Sequence, residues 1–383
     1  MISIIVIVII VAYLILIGLL SVSFDKVEDF KLQDLDSKTK FSVVIPFRNE
    51  AENLPRLLDS IFKLNYTSSL FEVILVDDGS EDESVKITQN ILDTSRQKSG
   101  DTQSNDFVII HNKRTSNSPK KDAITTAIEN AKYDWIITTD ADCVLPKYWL
   151  DAFDEYIQTQ NPNCMIAPIT YMDNSSFLKR FQTLDFLSLQ GATIAGFGLK
   201  KPFLCNGANF AYRLETFKSV NGFEGNTEIA SGDDVFLLEK FLKHNPKKVH
   251  YLKTEKAIVI TKAVDSVSGL IQQRIRWASK TSAYDNWFGK MVGLIVFLAN
   301  LASLMLIPLV VFNLLSFRVA VALFVIKFCI DFLILFKTAR FFKQESLLIS
   351  YFISSFIYPI FSVYVATLSL FQPYKWKGRT FKK

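Results

Sequence analysis

The sequence predicts an α/β domain with a mainly parallel sheet, flanked by helices long enough to cross a membrane. Long apolar runs lie near the two ends of the 383-residue chain, and none between residues 21 and 290 is long enough to span. Short runs rich in Val and Ile alternate there with stretches of helical periodicity, which is typical of a parallel sheet covered by helices. Ligands of such sheets bind beyond the carboxyl ends of the strands, so residues that follow the strands are the first candidates for a site.

The N-terminal apolar run predicts a membrane anchor. Hydrophobic residues make up 49% of the chain, and residues 2–20 contain no charge. Such a run nearly crosses a hydrocarbon core of about 30 Å. A cleaved signal peptide is the alternative, but it requires a basic start and a small-residue cleavage site, and neither is clear here. We therefore expect an uncleaved anchor.

The C-terminal third repeats the apolar pattern. Residues 291–317, 319–336 and 346–372 are apolar, and short basic stretches separate or follow them. The expected division is an anchor at 1–22, a polar linker at 23–40, an α/β domain at 41–290, about three transmembrane segments at 291–372 and a basic tail at 373–383.

Charge and cysteine content bear on the cellular location of the protein and on the class of partner it can bind. The formal net charge is +5, and the basic residues concentrate near the ends of the apolar runs. This predicts that these basic residues lie on the cytosolic side of the membrane and attract anionic lipids. We expect a protein integral to the plasma (inner) membrane with the α/β domain in the cytosol. No basic helix or RNA-binding aromatic motif is present, so no nucleic-acid partner is expected. The four cysteines match no zinc spacing and no disulfide framework.

The individual elements of the α/β domain follow from local signals. The predicted strands are 41–47, 71–78, 107–112 and 134–142. Asn49 with Glu52, and Ser80 with Glu83, have the spacing of capping boxes that open helices. Pro119 suits the first turn of a helix over 120–131. No GxGxxG follows a strand and no GxxxxGK[ST] is present, so the phosphate loops of dinucleotide-binding and P-loop proteins are absent from the sequence.

Acidic pairs follow two of these strands. Asp140 and Asp142, two residues apart, can share one Mg²⁺ or Mn²⁺, because hard cations take oxygen ligands and keep substrate phosphates in their shell. A solvated turn is the alternative for such a pair. Asp77 and Asp78 end the second strand, where a carboxylate can accept from a base N–H or a ribose hydroxyl, or can simply form the turn. These pairs make the carboxyl edge of the sheet the candidate site.

Three further motifs carry charge at helix starts or near the membrane. Lys120-Lys121 opens a helix, where cations oppose the helix dipole, which favours an anionic ligand over a solvated start. Asp233-Asp234 precedes an apolar run and predicts either a helix cap or a general base. The segment 273–277, QRIRW, reads either as an interfacial basic helix or as an anion-binding one.

The order of these motifs resembles a known enzyme family. VVIPFRNE, VDDGS, SPKKDAITTAI, TTDADCVLPKYWL, CNGANFAYR, SGDDVFLLEKF and QRIRW follow one another over roughly residues 41–285. This resembles the family 2 glycosyltransferases of GT-A fold, in the membrane branch that includes cellulose, chitin, hyaluronan and poly-N-acetylglucosamine synthases. The chain departs from that pattern in having Asp233 where many members have Glu, in its Lys-Lys after Pro119, and in having fewer membrane segments.

The resemblance implies a role for each matching residue. Donor-binding residues would be Pro46, Asp77, Asp78, Lys121, Asp140 and Asp142, with Asp140 and Asp142 also holding Mg²⁺ or Mn²⁺. Asp234 would be the catalytic base, with Asp233 beside it. Gln273, Arg274, Arg276 and Trp277 would close over the donor diphosphate and the acceptor end.

The implied reaction is an inverting transfer of a sugar from a nucleotide-diphosphate donor to a polysaccharide or lipid-linked acceptor, with a UDP-sugar as the expected donor. Polymerisation, a single transfer that forms a glycolipid, and a non-catalytic membrane scaffold remain alternatives, and a partner subunit is possible. The QxxRW motif favours polymerisation, whereas the few membrane segments favour single transfer.

Membrane topology leaves one question open at this stage. With the α/β domain in the cytosol, 291–317 runs outward and 319–336 inward, so a simple third span puts the basic tail outside, against the positive-inside tendency. Pro359 makes a kinked or re-entrant hairpin the alternative. Lys327 and Asp331 have the spacing of an ion pair within an apolar run, or of a polar contact with lipid or glycan. Residues 177–196 fit either a helix on the membrane surface or a core-facing helix.

Overall fold

The computed structural model describes residues 2–99, 106–172, 174–229, 231–280, 283–376 and 379–381. The chain forms two compact units. The helical unit comprises Met1–Val27, Asp173–Leu204 and Ala263–Lys383, and the sheet unit comprises Glu28–Met172 and Cys205–Lys262. The stretch Asp173–Leu204, which sequence analysis grouped with the α/β domain, thus belongs to the helical unit.

The helices and strands have the following bounds. The helices are α1 Ile2–Phe24, α2 Leu54–Phe62, α3 Ser84–Ser99, α4 Pro119–Asn130, α5 Trp149–Gln160, α6 Phe177–Gly198, α7 Leu214–Ser219, α8 Asp233–His244, α9 Val267–Ser279, α10 Trp287–Val311, α11 Phe317–Phe341 and α12 Tyr351–Phe371. The strands are β1 Phe41–Phe47, β2 Phe71–Asp77, β3 Asp106–His111, β4 Trp135–Thr138, β5 Cys164–Ile166, β6 Ile169–Tyr171, β7 Phe210–Arg213, β8 Val249–Tyr251, β9 Val259–Thr261, β10 Tyr374–Trp376 and β11 Arg379–Phe381.

The sheet unit is organised around a seven-stranded sheet with the order β3-β2-β1-β4-β7-β5-β8. Strands β1 to β4 are parallel to one another, and β7 runs antiparallel to both of its neighbours. β1 and β2 are almost entirely buried, as their continuous apolar sequences predict for strands covered on both faces. Phe47 pairs with Asp77, and Asp77 pairs with His111. The carboxyl ends of three parallel strands are therefore level, and the loops that follow them share one edge.

Both predicted capping boxes are wrong. α2 begins at Leu54 with Asn53 as its N-cap, and Asn49 instead has a left-handed backbone with φ of 52°. The Asn49 N–H donates to Ser80 Oγ at 3.0 Å, and Asn49 Oδ1 accepts from the Glu81 N–H at 2.8 Å. These polar groups bond between the two loops rather than within one helix start, which local spacing does not reveal. The strand predicted at 134–142 is likewise shorter, because the chain turns at Asp140, whose carbonyl accepts from the Cys143 N–H.

Among the described residues, the helical unit contains four apolar stretches long enough to cross a bilayer: Ile2–Phe24, Trp287–Val311, Phe317–Phe341 and Glu345–Phe371. α6 packs against α1 and α11, and more than half of its residues are buried. The core-facing alternative for residues 177–196 therefore describes this helix.

The ion pair expected within the apolar helices is present. Lys327 Nζ lies 2.7 Å from Asp331 Oδ2, one turn away on α11. The Tyr13 hydroxyl on α1 donates to Asp331 Oδ1 at 2.5 Å. The pair thereby satisfies its charges internally and links α1 to α11.

Candidate functional site

Three sequence-distant motifs meet in the sheet unit around the ammonium group of Lys120. Lys120 Nζ lies 2.7 Å from Asp140 Oδ1 and 3.2 Å from Asp233 Oδ2. Asp140 follows β4, Lys120 lies in the first turn of α4, and Asp233 begins α8. Burial by itself would lower the pKa of Lys120, but the carboxylates of Asp140, Asp233 and Asp234 raise it above its ordinary value. Lys120 is therefore a cation held among acidic side chains throughout the neutral range.

Gly207 allows the backbone to come close to this cluster. A Cβ atom at Gly207 would lie 2.7 Å from Asp233 Oδ2 and 3.3 Å from Lys120 Nζ. The Gly207 carbonyl accepts from Thr138 Oγ1 at 2.7 Å, which ties the segment to the end of β4. The neighbouring Asn209 accepts from Trp149 Nε1 and donates to two backbone carbonyls. Hydrogen bonds thus fix the segment CNGAN (205–209) beside the acidic cluster.

Asp140 and Asp142 offer a donor set that fits a divalent cation. Both lie in the turn after β4, and that turn is tied to β9 by two hydrogen bonds between Val144 and Ile260. No group of three or more His, Cys, Asp or Glu side chains suited to a metal occurs among the described residues. Mg²⁺ often takes only one or two carboxylates and completes its shell with phosphate oxygens and water. The pair therefore suits a metal that binds together with a phosphate-bearing substrate.

Asp77 and Asp78 are engaged in different ways after β2. Asp77 Oδ1 accepts from the Ser80 N–H at 2.9 Å and so shapes the turn. Asp78 Oδ1 accepts from Arg114 Nε at 2.6 Å and from Asn112 Nδ2 at 2.7 Å. Asn112 also donates to the Pro119 carbonyl, which connects this loop to the start of α4.

A second arginine completes the loop around Asp78. The Asp78 carbonyl accepts from Arg48 Nη1 at 3.0 Å and from Arg114 Nη2 at 2.6 Å. Gly79 follows Asp78 and has a φ of 71°. A Cβ atom there would lie 3.5 Å from Arg114 Nη2 and 3.7 Å from Arg48 Nη1. Two guanidinium groups therefore lie beside the acidic turn at the end of β2. Pro46, one residue before the end of β1, pairs with Val76 of β2.

Lys121 lies elsewhere. It is 1% exposed, and its Nζ donates to the carbonyls of Asn226 and Ile229 at 2.6 and 2.8 Å. Sequence analysis assigned the donor-binding lysine to Lys121, but the structure puts Lys120 among the acidic residues and gives Lys121 backbone partners in the segment before α8.

Asp234 lies beside Asp233 in the first turn of α8. Gly232 precedes them with a left-handed backbone, φ 85°, so the chain enters the helix by a sharp turn. Asp234 Oδ1 accepts from the Val235 N–H at 2.8 Å. Carboxylates are favourably placed in the first turn of a helix, because the N-terminal end of the helix dipole is positive.

The second group of candidate residues lies on α9, within the helical unit. Arg274 is buried and Gln273, Arg276 and Trp277 are half-buried. α9 begins at a serine cap, where Ser266 Oγ accepts from the Gly269 N–H, and its apolar side packs on α12 through Ile275 and Val365.

Sequence reasoning gave no role to Asn112, Arg114 or Gly207, noted Arg48 only for its place at a strand end, and chose Lys121 rather than Lys120. Arg48 lies within VVIPFRNE and Gly207 within CNGANFAYR, two quoted motifs to which no such role was attached. Arg114 and Asn112 follow β3, and their position after a parallel strand was the available signal.

Comparison with known families fits this arrangement. The model for glycosyl transferase family 2 matches residues 42–220, and that for glycosyl transferase family group 2 matches residues 135–368, which is more than half of the chain. The chain belongs to the family 2 glycosyltransferases. With four long apolar helices in the part of the chain that the structure describes, this glycosyltransferase is a membrane protein.

Curated relatives are similar over part of their length. The poly-beta-1,6-N-acetyl-D-glucosamine synthase of Staphylococcus aureus (strain COL) is 23% identical over 270 residues, covering 67% of this chain and 57% of the relative. That of Staphylococcus epidermidis is 23% identical over 249 residues, covering 62% and 53%. The chain thus spans little more than half the length of these relatives.

A solved structure supports the fold. A mannosyltransferase from Pyrobaculum calidifontis, in complex with GDP-Man and Mn2+, superposes with a TM-score of 0.59 at 17% identity, covering 93% of this chain and 99% of that one. The likeness, with the mostly parallel sheet, confirms the predicted GT-A fold.

Proposed function

We propose that this glycosyltransferase is a metal-dependent, inverting enzyme that takes a sugar from a nucleotide-diphosphate donor, a UDP-sugar in the first instance. The observation that carries the proposal is the position of the Lys120 ammonium group between Asp140 and Asp233. It brings together the acidic pair suited to a metal, a cation suited to a phosphate, and the acidic motif that contains the proposed base. Donor-binding residues in this proposal are Pro46, Asp77, Asp78, Lys120, Asp140 and Asp142.

The proposed chemistry is one displacement at the anomeric carbon. Asp234 accepts the proton of an acceptor hydroxyl, whose oxygen forms a bond to that carbon while the bond to the diphosphate oxygen breaks. The electron pair leaves with the nucleoside diphosphate, and a single displacement inverts the carbon. Lys120 stabilises the leaving diphosphate, since fixed cations aimed at developing charge are a large source of rate enhancement. Arg276 would contact the same diphosphate.

Asp140 and Asp142 would hold Mg²⁺ or Mn²⁺, which supplies neutralising charge to the diphosphate when bound. In this arrangement the acidic side chains of the site are shared between two cations, Lys120 and the metal. Gln273 and Trp277 would contact the donor or the acceptor end.

The acceptor is proposed to be a growing polysaccharide or a lipid-linked glycan. The curated relatives are named as polymer synthases, which favours the polysaccharide. The described residues include four candidate spans, and single transfer to a membrane lipid is the second candidate. We place the protein in the plasma (inner) membrane with the sheet unit in the cytosol, where nucleotide sugars are found, and a partner subunit could complete it.

The test measures release of nucleoside diphosphate by the purified protein in nanodiscs. UDP-N-acetylglucosamine, other UDP-sugars and GDP-mannose are supplied in turn, with Mg²⁺ or Mn²⁺ and a membrane lipid extract. We expect release with one donor, abolished by EDTA and restored by added metal. Asp234→Asn should lower it by about 10²–10⁴-fold, the usual range for general base catalysis. Asp142→Asn should lower it as well, because a metal ligand is lost.

The product then separates the two acceptors. A ladder of increasing length indicates polymerisation, and one glycolipid indicates single transfer. Equal release by the wild type and both variants would exclude this site, and release unaffected by EDTA would exclude metal dependence.

A further inference from the structure

One side of α6 holds the segment that leads into α9. Gln182, fully buried, donates through Nε2 to the Val264 carbonyl at 2.9 Å and accepts through Oε1 from the Val264 N–H at 3.1 Å. Lys179 Nζ lies 3.1 Å from Asp265 Oδ1, a more exposed pair between the same two segments. Asp185 follows Gln182 by three residues and lies on the same side of the helix.

Asp185 makes a buried ion pair with α9. Its Oδ2 accepts from Arg274 Nε at 2.6 Å, and both side chains are less than a tenth exposed, at 7% and 6%. A buried pair of this kind contributes little net stability, because desolvation offsets the attraction, and its best-attested use is to specify one arrangement. Arg274 is the first of the two residues between Gln273 and Arg276 in the QxxRW motif.

The Arg274 guanidinium also fixes two neighbours in that motif. Its Cζ lies 4.1 Å from the centroid of the Trp277 ring, one turn further along α9. Its Nη1 donates to Gln273 Oε1. Phe186, next to Asp185 on α6, has its ring centroid 6.0 Å from that of Trp277. The Trp277 indole therefore contacts both a guanidinium group and an aromatic ring. Phe186 lies on α6, and Arg274 is paired with Asp185 of α6.

We propose that Asp185 and Arg274 are a positioning pair that orients Trp277 and Gln273 for sugar transfer. Arg274 acts through these two residues and does not bind the donor diphosphate, the role first considered for it. The inference rests on the proposed function, because it takes Trp277 and Gln273 to be the residues that meet the donor or acceptor. Arginine suits this position because the edge of its planar guanidinium group can bond a carboxylate while the face of the same group stacks on an indole.

The first experiment observes Trp277 without using activity. The chain has five tryptophans, so protein labelled with 5-fluorotryptophan in nanodiscs should show five ¹⁹F resonances, with that of Trp277 assigned by Trp277→Phe. We expect Asp185→Asn to shift or broaden the Trp277 resonance and leave the other four unchanged. Asp265→Asn is the matched control, because it removes the exposed pair between the same segments and should leave all five unchanged.

The second experiment separates positioning from donor binding by kinetics. We expect Asp185→Asn to lower kcat by about 10- to 100-fold, since small misplacements of substrate-positioning groups cost this much. The donor KM should stay within about threefold, because no donor contact is lost.

A double variant covers the case in which Asp185→Asn does not fold. Asp185→Leu/Arg274→Met removes both charges, which apolar replacement of a buried pair often tolerates. We expect it to keep the thermal stability of the wild type, to shift the Trp277 resonance and to retain the low kcat, because nothing then stacks under the indole in a fixed orientation.

Three results would overturn the inference: an unchanged Trp277 resonance in Asp185→Asn or in the double variant, a raised donor KM at unchanged kcat, or wild-type kcat in the double variant. The last would make the pair structural only. Failure of the proposed function looks different, since Asp142→Asn and Asp234→Asn would then keep full turnover whatever the ¹⁹F spectra show.

Discussion

Lys120 and Lys121 are neighbours in the first turn of α4 and have different partners. Lys120 Nζ bonds to the carboxylates of Asp140 and Asp233, whereas Lys121 Nζ bonds to the backbone carbonyls of Asn226 and Ile229. Successive residues of a helix point about 100° apart, so one lysine meets the site and the other meets the loop before α8. The sequence offers no means of telling which is which, because the two side chains are identical.

Replacing each lysine should therefore have a different effect. We expect Lys120→Met to lower nucleoside diphosphate release by about 10²-fold, the scale of losing one fixed electrostatic contact, while leaving the melting temperature near that of the wild type. Lys121→Met should instead destabilise the sheet unit by about 1–3 kcal/mol, because two hydrogen bonds from a buried ammonium group to part-buried carbonyls are lost.

Thermal unfolding and diphosphate release, measured on both variants, check this prediction. Full turnover in Lys120→Met together with loss in a folded Lys121→Met would restore the original assignment to Lys121.

At the scale of elements, close packing of α6 depends on small residues. A Cβ atom at Gly198 would collide with the backbone carbonyl of Ser23 at the end of α1, and one at Gly191 would collide with Thr338 Oγ1 on α11. By contrast, a Cβ atom at Gly18, within α1, would meet only Ile330 Cδ1, at an ordinary 4.0 Å. α6 is therefore fitted tightly between α1 and α11.

Gly198→Ala should destabilise the helical unit. The obstructing atom is backbone and cannot rotate away, so overpacking of about 1–3 kcal/mol is expected. Gly18→Ala, the matched control, should leave stability unchanged or raise it, because alanine is the better helix former. Melting temperatures in detergent measure both, and equal values for the two variants would contradict the packing described here.

Strand identities were accessible from local sequence, and helix starts were less so. The bounds of β1 were predicted exactly as they occur, because its apolar run is continuous and ends at a polar turn. Pro119 was correctly placed in the first turn of α4, since its lost N–H has no intrahelical partner there. The starts of α2 and α3 were missed because Asn49 and Ser80 bond to each other's loops, and spacing within one segment carries no information about a loop thirty residues away.

At the scale of the whole chain, the helical unit bears on the open question of the basic tail. β10 packs against α9, and α9 directly precedes α10. At the other end of α10, the loop to α11 lies beside the start of α1, where Ser3 Oγ donates to the Leu314 carbonyl. Because α10 separates these two ends, we propose that the tail and α9 lie on one side of the membrane and the α10–α11 loop on the other. We therefore favour the alternative that returns the tail to the cytosol.

Cysteine labelling tests this topology. An impermeant maleimide applied to intact cells should modify Asn313→Cys in the α10–α11 loop and leave Thr380→Cys in the tail unmodified until the membrane is opened. Cys205 and Cys329, which are not buried, are first replaced by serine. The native Cys143 and Cys164 should add no background, because burial raises the pKa of both thiols and removes them from solvent. Labelling of Thr380→Cys in intact cells would put the tail outside.

The sequence by itself determined the class of this protein: its apolar runs, its strand–helix alternation and the order of its acidic motifs are local patterns, and they sufficed for the family, the fold and most candidate residues. The tertiary structure decided which side chains contact one another. Lys120 rather than Lys121 meets the carboxylates, Arg274 pairs with Asp185 across 89 positions, and Gly207 admits the backbone beside Asp233. These choices depend on distances between elements, which are set when the sheet and the helices pack and which no pattern within a single segment encodes.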